Sequence, residues 1–108
     1  MHTQNSLLDE SGIERYLSDL GPLPKPAIRR AHDVRHLVVC AHCRDLTDDR
    51  HCLHLFGKPY HGRCFLKQFG MRALLATPAR ERAGLQLGDI GLLAARALIE
   101  ADEAAERR

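Results

Sequence analysis

Apolar residues near the N-terminus recur at helical spacing. They occupy positions i, i+3, i+4 and i+7 of one stripe, formed by Ile13, Tyr16, Leu17 and Leu20. Ser11 and Glu14 have the spacing of a capping box, which places the start of a short helix at Ser11. Gly21-Pro22 ends this helix, and the prolines of GPLPKP (21–26) predict a stiff extended connector. The apolar stripe favours packing on the rest of the chain over a free partner-binding arm.

The centre of the chain has the shorter period of β-strands. Leu37-Val38-Val39 predicts a short strand, and residues 50–61 predict a hairpin that turns at Gly57-Lys58-Pro59. The period of two places Cys52 and His54 on one face of the first hairpin strand. A helix from about 62 to 76 follows, and one apolar face of it is formed by Phe65, Phe69 and Ala73.

Two helices are predicted in the C-terminal third. Thr77 and Pro78 supply an N-cap and a first-turn proline for a short helix that ends at Gly84. Asp89 is expected to cap a last helix from Ile90 to near Glu106. That helix has two apolar faces: the first comprises Ile90, Leu93, Ala94, Ala97, Leu98 and Ala101, and the second comprises Leu92, Ala95 and Ile99. Two apolar faces need two partners, and the candidates for the 90–106 helix are the zinc module and a second subunit, which would make a homodimer possible.

Length and composition restrict the class of protein. The 108 residues suffice for one domain, and so short a chain gains from a metal that crosslinks it. There is no run of 18 apolar residues, which predicts no membrane span. The N-terminal sequence lacks the charged and apolar regions of a secretory signal, so we expect a cytoplasmic protein.

The positive charge is concentrated in the middle of the chain. Residues 27–67 contain eight basic and four acidic side chains, whereas the whole chain has a net charge of only +2. This excess predicts either a solvated surface or a patch that attracts phosphate or an acidic partner. The eight basic residues are Arg29, Arg30, Arg35, Arg44, Arg50, Lys58, Arg63 and Lys67.

The cysteines and one histidine have the spacing of a metal site. Cys40 and Cys43 form a C-x2-C pair, and His61 and Cys64 form an H-x2-C pair; seventeen residues separate Cys43 from His61. Three thiolates and one imidazole are a suitable ligand set for a closed, tetrahedral, structural Zn²⁺. Disulfides are disfavoured because no export signal is present, and a thioredoxin-like role for the C-x2-C pair would need a βαβ unit that the sequence lacks.

The pattern C-x2-C-x17-H-x2-C resembles the first zinc module of LIM domains. The resemblance covers residues 38–66 and includes Gly57, Tyr60 and Phe65 of LHLFGKPYHGRCF as well as the four ligands. A LIM domain continues into a second zinc module, but Lys67 stands where its next cysteine would be, and no later cysteine exists. The resemblance implies one structural zinc and a protein-binding function without catalysis.

Other residues offer alternative ligands. Cys52 could replace His61, although a small buried apolar role is the preferred interpretation. His42 lies inside the C-x2-C knuckle and is expected to face solvent. A second metal site could also be built from His32 and His36.

These observations predict an α+β protein with a treble-clef-like zinc module formed by a knuckle, a β-hairpin and a helix. The predicted organisation has an N-terminal helix and connector (1–26), the zinc-binding module (27–76) and C-terminal helices that pack on it (77–108). We expect a non-enzymatic regulatory or adaptor protein that binds another protein. Nucleic-acid binding through the basic segment is the alternative.

Catalysis is not expected from this sequence. A zinc ion with four protein ligands has no open position, and the common metalloprotease, hydrolase and phosphate-loop motifs are absent. A treble-clef nuclease using His51 or His54 is a third reading, but its further histidine and asparagine are missing. The last helix opens with Ile90-Gly91-Leu92-Leu93, which offers no polar side chain to read DNA bases as a helix-turn-helix would.

Overall fold

The structure, a computed structural model, describes residues 9–107. Residues 1–8 and Arg108 lie outside this range. The sequence-based expectations for the first eight residues of the N-terminal segment therefore fall outside the described residues. The described chain is an α+β protein, as predicted, and it contains short 3-10 helices at Ala31–His36 and Ala79–Glu81. Its main elements are α1 (Glu10–Asp19), β1 (Leu37–Val39), β2 (Leu46–Asp48), β3 (Leu53–Leu55), β4 (Lys58–Tyr60), α2 (Gly62–Phe69), α3 (Met71–Ala76), α4 (Leu87–Ile90) and α5 (Leu92–Glu106).

The strands form two antiparallel hairpins. In the first, β1 pairs with β2, so that Val38 lies opposite Thr47; β1 was predicted and β2 was not. In the second, β3 pairs with β4, and Pro59 lies within β4 opposite His54. The turn is therefore Phe56-Gly57, one position earlier than predicted. Both turn residues have positive φ angles (52° and 79°), which match the twist of a two-residue hairpin.

A glycine divides the helix predicted over 62–76. Gly70 has a φ of 89°, outside the right-handed helical region, so α2 ends at Phe69 and α3 begins at Met71. Glycine reaches this conformation without steric cost. Gly91, with a φ of 87°, separates α4 from α5 in the same way and moves the start of the last helix from the predicted Ile90 to Leu92.

Two predicted helix caps are also corrected. The side chain of Asp9, rather than Ser11, accepts the hydrogen bond from the Gly12 amide, so α1 begins at Glu10. The Thr77 hydroxyl donates back to the carbonyl of Ala73 at 2.9 Å and thereby closes α3, instead of opening the next helix. A single 3-10 turn at Ala79–Glu81 replaces the short α-helix predicted up to Ala83.

The core joins the N-terminal helix, the hairpins and the C-terminal helices. Ile13 of α1, Leu53 of β3, Phe65 of α2 and Leu98 of α5 belong to one buried cluster. The Tyr16 hydroxyl donates to the carbonyl of Ile90 at 2.7 Å, across 74 residues of sequence, and holds α1 against the junction of α4 and α5. The apolar stripe of α1 thus packs on the protein.

None of the helices within residues 9–107 has the length and the unbroken apolar sequence that crossing a bilayer requires.

Candidate metal centre

The first half of the site is the loop between β1 and β2. The Cys40 amide donates to the carbonyl of Asp45 at 2.9 Å, and the Arg44 amide donates to the carbonyl of Cys40 at 3.0 Å. Arg44 has a φ of 67°, so the chain reverses sharply just after Cys43. These bonds fold residues 40–45 into a knuckle that directs both thiol groups to the same side.

The second half of the site is the start of α2. His61 precedes the helix and Cys64 lies in its first turn, while the Phe65 amide donates to the His61 carbonyl at 2.9 Å. The Ala41 amide donates to the carbonyl of Pro59 at 2.8 Å and so fastens the knuckle to β4. The two halves, far apart in sequence, are therefore held side by side by backbone hydrogen bonds.

The four predicted ligands lie together. Their donor atoms are all within 4.8 Å of one another, and none of the four cysteines of the chain forms a disulfide. The Nδ1 atom of His61 is 3.4 Å from the sulfur of Cys43 and 3.7 Å from that of Cys64. Bond lengths of a tetrahedral ion with sulfur and nitrogen ligands imply a separation of about 3.6 Å between neighbouring ligand atoms. The spacing of the donors therefore fits a metal ion at their centre.

Three of the four donor residues are buried, and the fourth is exposed. Cys40, His61 and Cys64 are buried, whereas Cys43 is exposed. Three donors are thus shielded from water and oxidants, and the fourth lies at the protein surface. The four protein donors thus form a compact group, and His61 also borders a cavity of about 430 Å³.

A backbone carbonyl orients the imidazole of His61. Its Nε2 atom lies 3.1 Å from the carbonyl oxygen of Leu46, which can only accept a hydrogen bond. Nε2 must therefore carry the proton, which leaves the lone pair of Nδ1 directed at the cysteines. Such outer hydrogen bonds fix the tautomer and the ring orientation of a ligating histidine.

The His61 tautomer is directly testable. We expect long-range ¹H–¹⁵N spectra of the labelled protein to show His61 protonated at Nε2 and not at Nδ1, with or without metal. His42, which is exposed and contacts Gln68, serves as the comparison because no backbone carbonyl restrains its ring in the described chain. A proton on Nδ1 of His61 would contradict the ligand geometry.

The thiols of the cluster have divergent acidities. Burial raises the pKa of Cys40, but hydrogen bonds from the backbone of Cys43, His61 and His42 outweigh it, so that its pKa is lowered to about 6. Burial raises the pKa of Cys64, and the neighbouring Cys40 raises it further. Several thiolates so close together need a cation to offset their charge, and a bound metal supplies one.

Asp89 supports the site, although sequence reasoning assigned it a different role. Its Oδ2 atom accepts a hydrogen bond of 2.8 Å from the amide of Gly62, the first residue of α2. The carboxylate therefore caps the helix that contains Cys64, instead of a helix beginning at Ile90. Asp89 is separated from Gly62 by 27 residues, and no local pattern signals such a cap.

Close packing explains why Gly62 has no side chain. A Cβ atom there would lie 2.7 Å from Cγ2 of Ile90 and 2.9 Å from Cδ1 of Leu85. Arg63, the next residue, donates to the Asp89 carbonyl at 2.8 Å and to the Gly21 carbonyl at 2.6 Å. The N-terminus of α2 is therefore fixed by both terminal segments of the described chain.

The predicted basic residues do not all remain available to a ligand. Arg50 forms ion pairs with Asp48 at 2.6 Å and with Asp33 at 3.3 Å, and its hydrogen bonds lower the pKa of Asp48 to about 2. Arg63 is half-buried and engaged with backbone carbonyls and Asp89. The remaining six are exposed: Arg29, Arg30, Arg35, Arg44, Lys58 and Lys67.

Cys52 stands apart from the four-residue group. It is buried, with 3% of its surface exposed, and its sulfur lies near His54 and the backbone of Asp49. Burial raises its pKa to about 12, which is the behaviour of a protonated thiol. His51 contacts Gln86, and the rings of His32 and His36 meet edge to face.

Comparisons of this chain with protein-family models, with curated proteins and with solved structures find no match. The structure therefore defines the class of protein only as a small α+β protein with a Cys3His candidate metal group. The resemblance to a LIM module rests on the ligand spacing and on the placement of these side chains, and no family match supports it.

Proposed function

We propose that this chain is a non-enzymatic protein that binds one structural Zn²⁺ and acts by docking another protein. Three thiolates and an imidazole are donors that Zn²⁺ prefers, and four protein ligands leave no position for a reacting water. The metal would join the knuckle to α2 and contribute directly to folding. The residues that would hold it are Cys40, Cys43, His61 and Cys64.

An apolar groove beside α4 and α5 carries the protein-binding proposal. Leu92 and Ile99, both on the predicted second face of the last helix, are 72% and 48% exposed. With Leu87 and Ala95 they line a groove of about 510 Å³. Large apolar side chains grouped on one exposed face mark an interaction site more often than single ones do.

The charges around the groove define the partner. Glu100 and Glu103 line it, and Arg96 is the one cation among its lining residues. We propose that the occupant is an amphipathic helix of another protein, with apolar anchors spaced along one face and basic residues beside them. A second copy of this chain would bring a second acidic α5 to the same place, with only Arg96 to offset it.

Charge substitution in the groove tests this proposal. We expect zinc-loaded protein to retain a partner from a lysate of the source cells, and a peptide from the basic helix of that partner to bind directly. Leu92→Glu and Ile99→Glu should each lower the affinity of the protein for the peptide at least tenfold, because burying a carboxylate in an apolar contact is costly. Peptide affinity is measured by fluorescence anisotropy.

Leu93→Glu is the matched control for this experiment. Leu93 is 53% exposed on the same turn of α5 but does not line the groove, so the peptide should bind this variant normally. Equal binding to Leu92→Glu and wild type would refute the groove as the docking site. A dimer in solution that Ile99→Glu converts to a monomer would show that a second copy is the occupant, and would refute a foreign helix.

Nucleic-acid binding has less support as a function. Arg50 and Arg63 are committed to carboxylates and carbonyls of the same chain, which lowers the charge available to phosphate. A treble-clef nuclease is supported no better. It would need the imidazole of His51 or His54 to act on a substrate, but His54 contacts Asp49 and His51 contacts Gln86.

A further inference from the structure

A second cluster of metal-binding side chains lies between the two hairpins. Asp49 follows β2, Cys52 precedes β3 and His54 lies within β3. The Nε2 atom of His54 is 2.7 Å from Oδ1 of Asp49 and 3.8 Å from the sulfur of Cys52. The ligand atoms of all three lie within 4.8 Å of one another. The cluster shares no residue with the Cys3His group.

The arrangement is not that of a catalytic Cys-His-Asp triad. In a triad the nucleophile and the orienting carboxylate contact different nitrogens of the imidazole. Here both Cys52 and Asp49 approach the same atom, Nε2 of His54. Three donor atoms within 4.8 Å of one another are instead a possible ligand set for a metal ion.

The distances are close to those of a metal site. A tetrahedral ion would place sulfur and nitrogen about 3.6 Å apart and nitrogen and oxygen about 3.3 Å apart. The observed sulfur–nitrogen distance of 3.8 Å already fits. The carboxylate must withdraw by about half an ångström from its hydrogen bond with His54, which the 49% exposed side chain of Asp49 is free to do.

The surroundings leave the cluster open on one side. Cys52 is buried at its base, whereas His54 and Asp49 border a cleft of about 410 Å³. The carboxylate of Glu81 lines the same cleft, as do Arg80 and Arg50, and Arg50 is paired with Asp48 and Asp33. A fourth ligand position is therefore accessible to water, to a carboxylate or to an incoming molecule, as in metal sites that exchange their ligands.

We propose that Asp49, Cys52 and His54 form a second, open metal site that binds a borderline divalent ion such as Zn²⁺. The nitrogen, oxygen and sulfur donors suit this class of ion, whereas Mg²⁺ and Ca²⁺ require oxygen donors. With three protein ligands in place of four, the site binds more weakly than the Cys3His group. It is independent of the groove on α4 and α5.

Metal stoichiometry tests the second site. Protein that carries one tightly bound Zn²⁺ is dialysed against increasing free Zn²⁺, and bound metal is counted by mass spectrometry. We expect a second equivalent in wild type and none in His54→Ala or Asp49→Asn. Both residues are at least partly exposed, so these variants should fold. His51→Ala is the matched control. His51 is an exposed histidine three residues before His54 that is not among the three ligands, so this variant should retain the second equivalent.

Cobalt identifies the sulfur ligand. Co²⁺ added to the zinc-loaded protein should produce a thiolate-to-metal charge-transfer band that is absent in Cys52→Ser. Wild-type protein that stops at one equivalent would overturn the proposal. A second equivalent that persists in both His54→Ala and Asp49→Asn would also overturn it, because the ion would then be bound elsewhere.

Discussion

Replacing Cys64 with serine is expected to release the tightly bound metal and much of the helical structure. Cys64 contributes one of four donors and lies in the first turn of α2, against the buried core. A serine hydroxyl is a poor ligand for Zn²⁺, and a structural zinc site of this kind contributes about 10–16 kcal/mol in small fingers. Metal content and far-ultraviolet circular dichroism of the purified variant measure the two effects.

Cys52→Ser is the control for this result. Cys52 is also a buried cysteine, but it lies outside the Cys3His group, so the variant should retain the tight equivalent of metal. A wild-type protein that folds fully in a strong chelator would contradict the role of the metal in the fold. Loss of the tight equivalent in Cys52→Ser would contradict the ligand assignment.

Replacing Asp89 with alanine is expected to destabilise the protein by about 2–4 kcal/mol. The substitution leaves the Gly62 amide without its acceptor and removes the carboxylate 3.5 Å from Arg63, which is 13% exposed. It also removes a negative charge from the N-terminus of α2, where the helix dipole favours one. Denaturant unfolding of zinc-loaded protein measures the loss.

Two further variants separate the contribution of the lost hydrogen-bond acceptor from that of the lost negative charge. Asp89→Asn keeps an acceptor for the Gly62 amide but loses the negative charge. We therefore expect its free energy of unfolding to lie between those of the wild type and Asp89→Ala. Glu14→Ala removes an exposed carboxylate of α1 and should change stability by no more than about 0.5 kcal/mol. Equal stability of Asp89→Ala and Glu14→Ala would contradict the capping role of Asp89.

The residues of the metal group were predictable because their chemistry is read directly from spacing. The C-x2-C and H-x2-C pairs each place two donors on one short turn, and the aromatic Tyr60 and Phe65 flank the second pair. The strand at 37–39 was predicted from its β-branched residues. The second apolar face of the last helix followed from its periodicity, and its residues Leu92 and Ile99 are exposed and line the groove.

The sequence-based predictions of helix boundaries were wrong where the backbone departs from helical or extended geometry. Gly70 and Gly91 were read as ordinary helix positions, yet their positive φ angles end one helix and begin another. Leu93 was placed on one apolar face with Ala94 and Leu98, but Leu93 is 53% exposed whereas Ala94 and Leu98 are buried. Periodicity alone cannot detect a glycine whose conformation is decided by its neighbours in space.

The sequence by itself determined the donor set, the α+β class and the apolar faces, because each depends on residue types at short, regular spacing. Only the tertiary structure decided that Asp89 caps α2, that Leu46 orients the His61 ring and that Asp49 joins Cys52 and His54, which the period of two had already placed on one face. The first two contacts join segments whose separation the loops determine. Side-chain hydrogen bonds of this kind depend on distances of a few tenths of an ångström, which no one-dimensional pattern encodes.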